Sequence, residues 1–361
     1  MRYDYIVVGN GPAGCIAAAN AACESDVLLV GKGFRRVQCA GLVSVSGLEK
    51  INVKPKDSVV NVVRGAKIFS PSGIETVIDG KKPKAYVLDR MAFDEMLLEK
   101  ALDAGVKYKK GFVESIKPQV KIKGQRGQNA DVTVLASGTD YSLQHRHGLE
   151  TPGEYLVGGQ YEMKVECDTD FVELYFNVPH FFSWIIPLGD TARVGLCVRG
   201  NPRPYLDSFV KKITREKRLK SARRYSESFG VIPVHNPKMR TEYDGVKLVG
   251  DAAGQVKAST GGGIVMGGLA CKHIVSPEYE RLWRDEIGFE LRLHLMIHHA
   301  INRMSDHGKD RFFNIVSEYH RNLESSGDMD LASKTICSLL KDPRFIVKAA
   351  ANLPWILMES L

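Results

Sequence analysis

Gly9-Asn10-Gly11-Pro12-Ala13-Gly14 sets three glycines in GxGxxG spacing, directly after the apolar run Asp4-Tyr5-Ile6-Val7-Val8 and directly before an alanine-rich stretch. At a strand-to-helix turn this pattern is phosphate-binding chemistry. Gly9 makes the tight turn, Gly11 lets the backbone approach a pyrophosphate, and Gly14 lets the helix pack closely on the strand. The helix N-terminus then turns unpaired amides and a partial positive charge toward the phosphates. Gly9, Gly11, Pro12, Ala13 and Gly14 are therefore cofactor-binding candidates. One expected group is missing. An acid that holds ribose hydroxyls usually follows about 20 residues on, but the second apolar run, Asp26–Val30, is followed by Gly31.

A second constellation lies far downstream. Leu248-Val249-Gly250-Asp251-Ala252-Ala253-Gly254 reads as a buried strand ending in Gly-Asp before a small-residue helix start, and Ala258-Ser259-Thr260-Gly261-Gly262-Gly263-Ile264 follows it. Two more segments complete the set: Leu88-Asp89-Arg90-Met91-Ala92-Phe93-Asp94, an arginine at a helix start, and Ala136-Ser137-Gly138-Thr139, a strand-end turn. Together these resemble the flavoprotein class that contains p-hydroxybenzoate hydroxylase. The resemblance implies FAD rather than NAD as cofactor. Gly250 and Asp251 would then hold the ribityl chain, Arg90 would approach the cofactor and Gly138 would border it. The side-chain-free stretch Gly261, Gly262, Gly263, Ile264 would lie along the isoalloxazine edge, its amides stabilising negative charge on reduced flavin.

Two stretches narrow the resemblance. Val37-Gln38-Cys39-Ala40-Gly41-Leu42-Val43-Ser44 is similar to the cysteine–glycine segment of the geranylgeranyl reductases. Phe182-Ser183-Trp184-Ile185-Ile186-Pro187, followed by Val194-Gly195, is similar to their Tyr-x-Trp-x-Phe-Pro … Gly signature, with Phe182 in place of the tyrosine and Ile186 in place of the phenylalanine. The likeness spans residues 1–275. It implies an enzyme that saturates carbon–carbon double bonds of isoprenoid, geranylgeranyl lipid chains, as in archaeal membrane phospholipid biosynthesis. Cys39, Ala40 and Gly41 would sit beside the flavin, with Cys39 as proton donor or positioning group and Arg35 and Arg36 near enough in sequence to favour its thiolate. Phe182, Trp184, Ile186, Pro187 and Tyr175 would line the substrate channel. The partners implied are the lipid and an electron donor: ferredoxin, a deazaflavin or NADPH.

Two other readings fit the same residues. One is an FAD-dependent monooxygenase of the same fold acting on an apolar substrate; the other is a non-catalytic flavin-bearing lipid-binding protein. His294 and His298 have zinc-ligand spacing on a helix, but Leu295 stands where a zincin's glutamate would be and no third ligand is evident, so no metal is expected.

These residues need elements to position them. The chain reads as an α/β protein: a Rossmann-like FAD-binding domain, an antiparallel β-sheet substrate domain and a helical C-terminal region. The expected division is residues 1–140 and 241–280 for FAD, 141–240 for substrate and 281–361 for the tail. Strands are expected at 4–9, 26–30, 131–136 and 247–250, helices at 14–23 and 89–104, and a hairpin at 62–79. In the middle third, 171–177, 183–188 and 192–198 read as an antiparallel meander. A basic helix is expected from Pro204 to Arg224, carrying Lys211, Lys212, Arg215, Lys217, Arg218, Lys220, Arg223 and Arg224. It is a candidate for meeting a lipid phosphate or an anionic membrane.

The 361 residues carry a formal charge of +8, yet no nucleic-acid-binding module accompanies it. Seven scattered cysteines without a CxxC pair point to a reducing compartment. No run approaches the roughly 18 apolar residues of a membrane span, and no cleavable leader is expected. The implied location is cytoplasmic, with the basic helix as the candidate for peripheral membrane contact.

Overall fold

The computed structural model describes residues 2–33 and 38–348. The opening apolar run is the strand Arg2–Val8, flanked in parallel by Val27–Gly31 and Asn129–Leu135. Lys107–Lys110 extends this sheet on one side, and Val246–Leu248 with the short antiparallel edge Glu242–Tyr243 extends it on the other. Continuous Val/Ile/Leu runs suit these strands because helices cover the sheet and leave no polar face to alternate. The helix Pro12–Ala21 begins with proline, whose fixed φ and missing N–H fit a first turn. Its Ala17, Ala18 and Ala21 are buried against the helices Arg90–Asp103 and Ile264–Cys271. Arg90–Asp103 starts where its cap dictates: the Asp89 carboxylate accepts from the amides of Met91 (2.9 Å) and Ala92 (3.3 Å).

A second sheet has seven strands in the order Ser226–Pro233, Tyr155–Met163, Ala192–Val198, Ser183–Pro187, Phe171–Tyr175, Gly65–Phe69, Glu75–Asp79. All neighbours are antiparallel except Phe171–Tyr175 with Gly65–Phe69. The expected hairpin therefore begins at Gly65, not 62, and hydrogen-bonds to the meander. Val59–Val63 instead joins a three-stranded sheet with Ala85–Leu88 and Leu42–Ser44.

The two faces of the seven-stranded sheet differ in what covers them. Tyr161, Tyr175, Ile185, Val194 and Leu196 pack beneath the helix Arg203–Arg215 through its Leu206, Phe209 and Ile213. Val172, Trp184, Ile186 and Cys197 point the other way, toward Ala40, Leu42 and Ala258. The basic helix is shorter than its charge pattern predicts. It ends at Arg215 because Lys217 takes a left-handed φ of 58° and Leu219 bridges to Val165. It also lies on the sheet face away from Trp184, and Lys220 and Arg224 pair with Glu166 and Asp207. Its charge cannot border the Trp184 face. From residue 289 to 348 the described chain is mainly helical, with helices Phe289–Arg303, Asp306–Glu318, His320–Ser326 and Ala332–Leu340. Among the described residues no helix is long and apolar enough to cross a membrane.

Candidate cofactor and substrate site

At the nucleotide end, Gly9 has φ 113°, and a Cβ there would lie 2.1 Å from the Ala136 carbonyl oxygen. Only glycine makes this turn against the neighbouring strand end. Gly11 and Gly138 would carry Cβ atoms into open space, so the N-terminus of Pro12–Ala21 fronts an uncovered cradle. The position of the missing acid is filled from elsewhere. A Cβ on Gly31 would meet Asn10 Oδ1 at 2.1 Å, and Asn10 is buried. The side chain inside the fingerprint thus occupies the space that Gly31 leaves empty; that vacated space was the only sequence signal for Asn10.

The downstream constellation folds onto the first. A Cβ on Gly250 would lie 2.8 Å from Ala13 Cβ, and one on Gly263 would lie 2.8 Å from Asp251 Oδ1. Gly9–Gly14, Gly250–Asp251 and Gly263 therefore come together in space, as a cofactor cleft requires. The Asp251 backbone oxygen accepts from the Tyr141 hydroxyl at 3.2 Å and from the Gly254 amide at 3.1 Å. Its carboxylate has no hydrogen-bond partner among the described residues. Burial lifts this carboxyl above its ordinary range, and the charge of Arg90 opposes the shift. Asp251 is only half-buried and its carboxylate keeps its acceptor capacity, so the site fits a ligand that brings hydroxyl groups to it.

Cys39 is half-buried, and the Gly41 amide donates to its sulfur at 3.4 Å. The Arg90 guanidinium lies near enough to feel the charge of the same sulfur, while pairing with Asp94 at 3.0 Å in a largely buried ion pair. A second arginine enters from the other sheet: Arg193 Nη1 donates to the Ala40 oxygen at 2.6 Å and to the Leu88 oxygen at 3.2 Å. Gln160 Nε2 donates to the Cys39 oxygen at 3.1 Å, and its Oε1 is buried without a partner among the described residues. The arginines beside Cys39 in space are thus Arg90 and Arg193; Arg35, Arg36 and Val37 lie outside the described residues. Arg193 was legible in principle. It interrupts the apolar alternation Ala192, Val194, Leu196, Val198 on the opposite face of its strand.

Trp184 and Ile186 share the face toward Ala40 and Ala258. The indole lies flat over Gly195, where a Cβ would sit 2.5 Å from Cε2. Its Nε1 is buried with no partner among the described residues. Phe182 sits 6.3 Å from Trp184 and stacks on Phe181 at 4.2 Å, ring centre to ring centre, and Phe176 bridges Phe182 to Phe313. Tyr175 does not join them. It sits on the opposite face, stacked on Phe69 at 4.5 Å, with its hydroxyl donating to Glu173 at 2.5 Å and accepting from Arg218. Pro187 is likewise one residue out of phase with Ile186, so it shares the face of Ile185. His294 and His298 are separately engaged, with Ser259 and Asn302. Among the described residues no group of three or more His, Cys, Asp or Glu could hold a metal.

No family model matches the chain. A digeranylgeranylglycerophospholipid reductase of Methanocaldococcus jannaschii is 31% identical, covering 88% of this chain and 91% of its own. One from Methanothrix thermoacetophila is 30% identical, covering 96% and 98%. The crystal structure of a geranylgeranyl bacteriochlorophyll reductase-like protein from Thermoplasma acidophilum superposes with a TM-score of 0.84 at 24% identity, over 97% of this chain and 99% of that one. That last likeness speaks for the fold; the two sequence relatives speak for the family. The chain belongs to the geranylgeranyl reductase family and is an oxidoreductase of that type.

Proposed function

We propose that the protein is an FAD-dependent reductase that saturates double bonds in the isoprenoid chains of a lipid. What supports this reading is the nearness of Asp251, which no described residue hydrogen-bonds, to Arg90, of Arg90 to Cys39, and of the adjoining Ala40 to the apolar Trp184 face. The alternative of a carrier without turnover gives way to membership in an enzyme family.

The residues fit the cofactor. Gly9, Gly11 and Gly14 with the N-terminus of Pro12–Ala21 would hold its pyrophosphate, Asp251 its ribityl hydroxyls, and Gly261–Gly263 its pyrimidine edge. When bound there, FAD would supply hydride to one carbon of the alkene. The other carbon needs a proton, and Cys39 Sγ is the candidate group, held by the Gly41 amide in the field of Arg90. Arg193 and Gln160 fix the backbone of that segment. An isoprenoid alkene is unactivated and has no polar handle, so alignment and exclusion of water must do much of the work. Trp184, Phe182 and Ile186 provide an apolar wall for it. Reducing equivalents come from a separate donor, which ferredoxin, a deazaflavin or NADPH would satisfy.

The test is to incubate dithionite-reduced protein with geranylgeranyl glycerophospholipid and read the lipid by mass spectrometry. Mass gains of two hydrogens per double bond are expected; gain of oxygen, or no change with FAD bound, would sink the reading.

A further inference from the structure

Lys257 opens the turn that carries the glycine stretch. Its amide donates to the Gly262 oxygen at 3.1 Å, and its own oxygen accepts from the Gly261 amide at 2.8 Å. The side chain then runs back behind the same loop. A Cβ on Gly262 would lie 2.8 Å from Lys257 Cε and 3.1 Å from Nζ. A lysine is seldom fully buried unless paired, and this one is 5% exposed. Its ammonium donates to Asp330 Oδ1 at 2.6 Å and to the Met329 oxygen at 2.8 Å. An ammonium has three N–H donors; the third has no acceptor among the described residues.

Asp330 does more than neutralise a charge. Its other carboxylate oxygen takes the hydroxyl of Ser44, which caps the helix following the Cys39 segment. One carboxylate from the C-terminal helical region thus holds both segments that face the cofactor cleft. Stability alone is a weak reason to retain such a pair, because apolar residues of similar volume are often as stable as a buried ion pair.

The geometry points to Lys257, aimed by Asp330, as the cation that biases bound flavin toward its reduced, negatively charged form. The inference rests on the FAD reading above. Two electrons from the donor and one proton leave one negative charge on the flavin, delocalised over the pyrimidine edge. A cation behind Gly262, shielded from water, stabilises that charge and not the neutral oxidised ring. In this role Lys257 is a charge-bearing positioning residue, not a group that touches substrate.

The experiment is spectroelectrochemical titration of the FAD-loaded protein as wild type, Lys257→Met, Lys257→Arg and Lys257→Met/Asp330→Leu, beside thermal melts. Both Met-containing variants should shift the equilibrium at least tenfold toward oxidised flavin, about 30 mV for a two-electron couple, and Lys257→Arg should not. The double variant removes both charges together, so its melting temperature should recover even if Lys257→Met alone is unstable; its potential should stay low. A potential restored along with the melting temperature, or unshifted in either Met variant, overturns the inference and leaves the pair as scaffold. Failure of the wild type to bind FAD would instead overturn the reading on which the inference rests, and with it the inference.

Discussion

Arg90 and Asp251 sense each other's charge across the cofactor cleft without forming an ion pair. Arg90 is committed to Asp94 at 3.0 Å, four residues along its own helix, and Asp251 is left with a free carboxylate. Had they paired, Arg90 would occupy acceptor positions on Asp251 that a ligand's hydroxyl groups could otherwise use. The i,i+4 geometry of Arg90 and Asp94 on one helix face is what prevents this.

Asp251→Ala should therefore leave a folded protein that has lost its flavin. Hydrogen bonds to a charged group contribute roughly 1.5–3 kcal/mol, so FAD affinity should drop by about one to two orders of magnitude. The apoprotein should melt no lower than wild type, because the substitution removes a half-buried acid that no described residue hydrogen-bonds. Flavin absorbance after gel filtration, read beside the melt, checks both halves. Retained FAD would take Asp251 out of the site.

Cys39→Ala should keep FAD and lose turnover. A positioned general acid contributes about 10²–10⁴-fold, and the loss should appear in kcat and kcat/KM alike if the sulfur acts only in the transition state. Unchanged alkene reduction would make Cys39 a packing residue. Arg193→Met should give a smaller loss with the same pattern, since it acts on the Cys39 segment through the Ala40 and Leu88 carbonyls.

The parts of the site that were legible are those written locally in the chain. Gly9–Gly14 and Gly250–Asp251 are dictated by turns and close backbone approaches, so residue type and spacing carry them. The cap at Asp89 fixed the start of its helix for the same reason. What escaped comes from pairing between distant segments. Asn10 fills the space at Gly31, Arg193 reaches Ala40, and Asp330 reaches Lys257, and none of these is a matter of local spacing. Tyr175 shows the limit of periodicity. Alternation correctly divides 171–175 into two faces, but only the covering helix Arg203–Arg215 decides which face is turned from the cofactor. The end of that helix was illegible too, because the basic run continues past Arg215 and the left-handed turn at Lys217 has no glycine to announce it.

Acid should destabilise the fold through three buried histidines. Burial pulls His235, His294 and His298 from 6.5 down to about 4. Between those values the unfolded chain binds more protons than the folded one, so stability falls as pH falls. Their contribution is complete above about pH 6.5 and is lost progressively toward pH 4, at roughly 1.4 kcal/mol per pH unit for each. Asp251, whose folded value is raised, works in the opposite direction over its own range. Melts of wild type and His294→Gln/His298→Gln from pH 7.5 to 4.5 test this: the variant should start lower and decline less steeply. Parallel curves would assign the acid sensitivity to carboxylates.

Trp184 separates a substrate wall from an ordinary core. A buried indole normally finds a partner for its N–H, and leaving one without costs about 1–3 kcal/mol. Here Nε1 has none, although the ring is 8% exposed and seated on Gly195. A residue placed for stability alone would have been better as phenylalanine. Trp184→Phe should accordingly melt at or slightly above the wild-type temperature, while the altered wall changes which double bonds are reduced. Trp184→Leu should extend the change in products at modest cost in stability, because it also removes the indole N–H that no described residue accepts. If both faces of the strand were scaffold, Trp184→Leu would cost several kcal/mol, in the range of about 3–5 seen for large aromatic truncations, and the products would be those of wild type. That combination, a much lower melting temperature with an unaltered product pattern, would remove the Trp184 face from the substrate site.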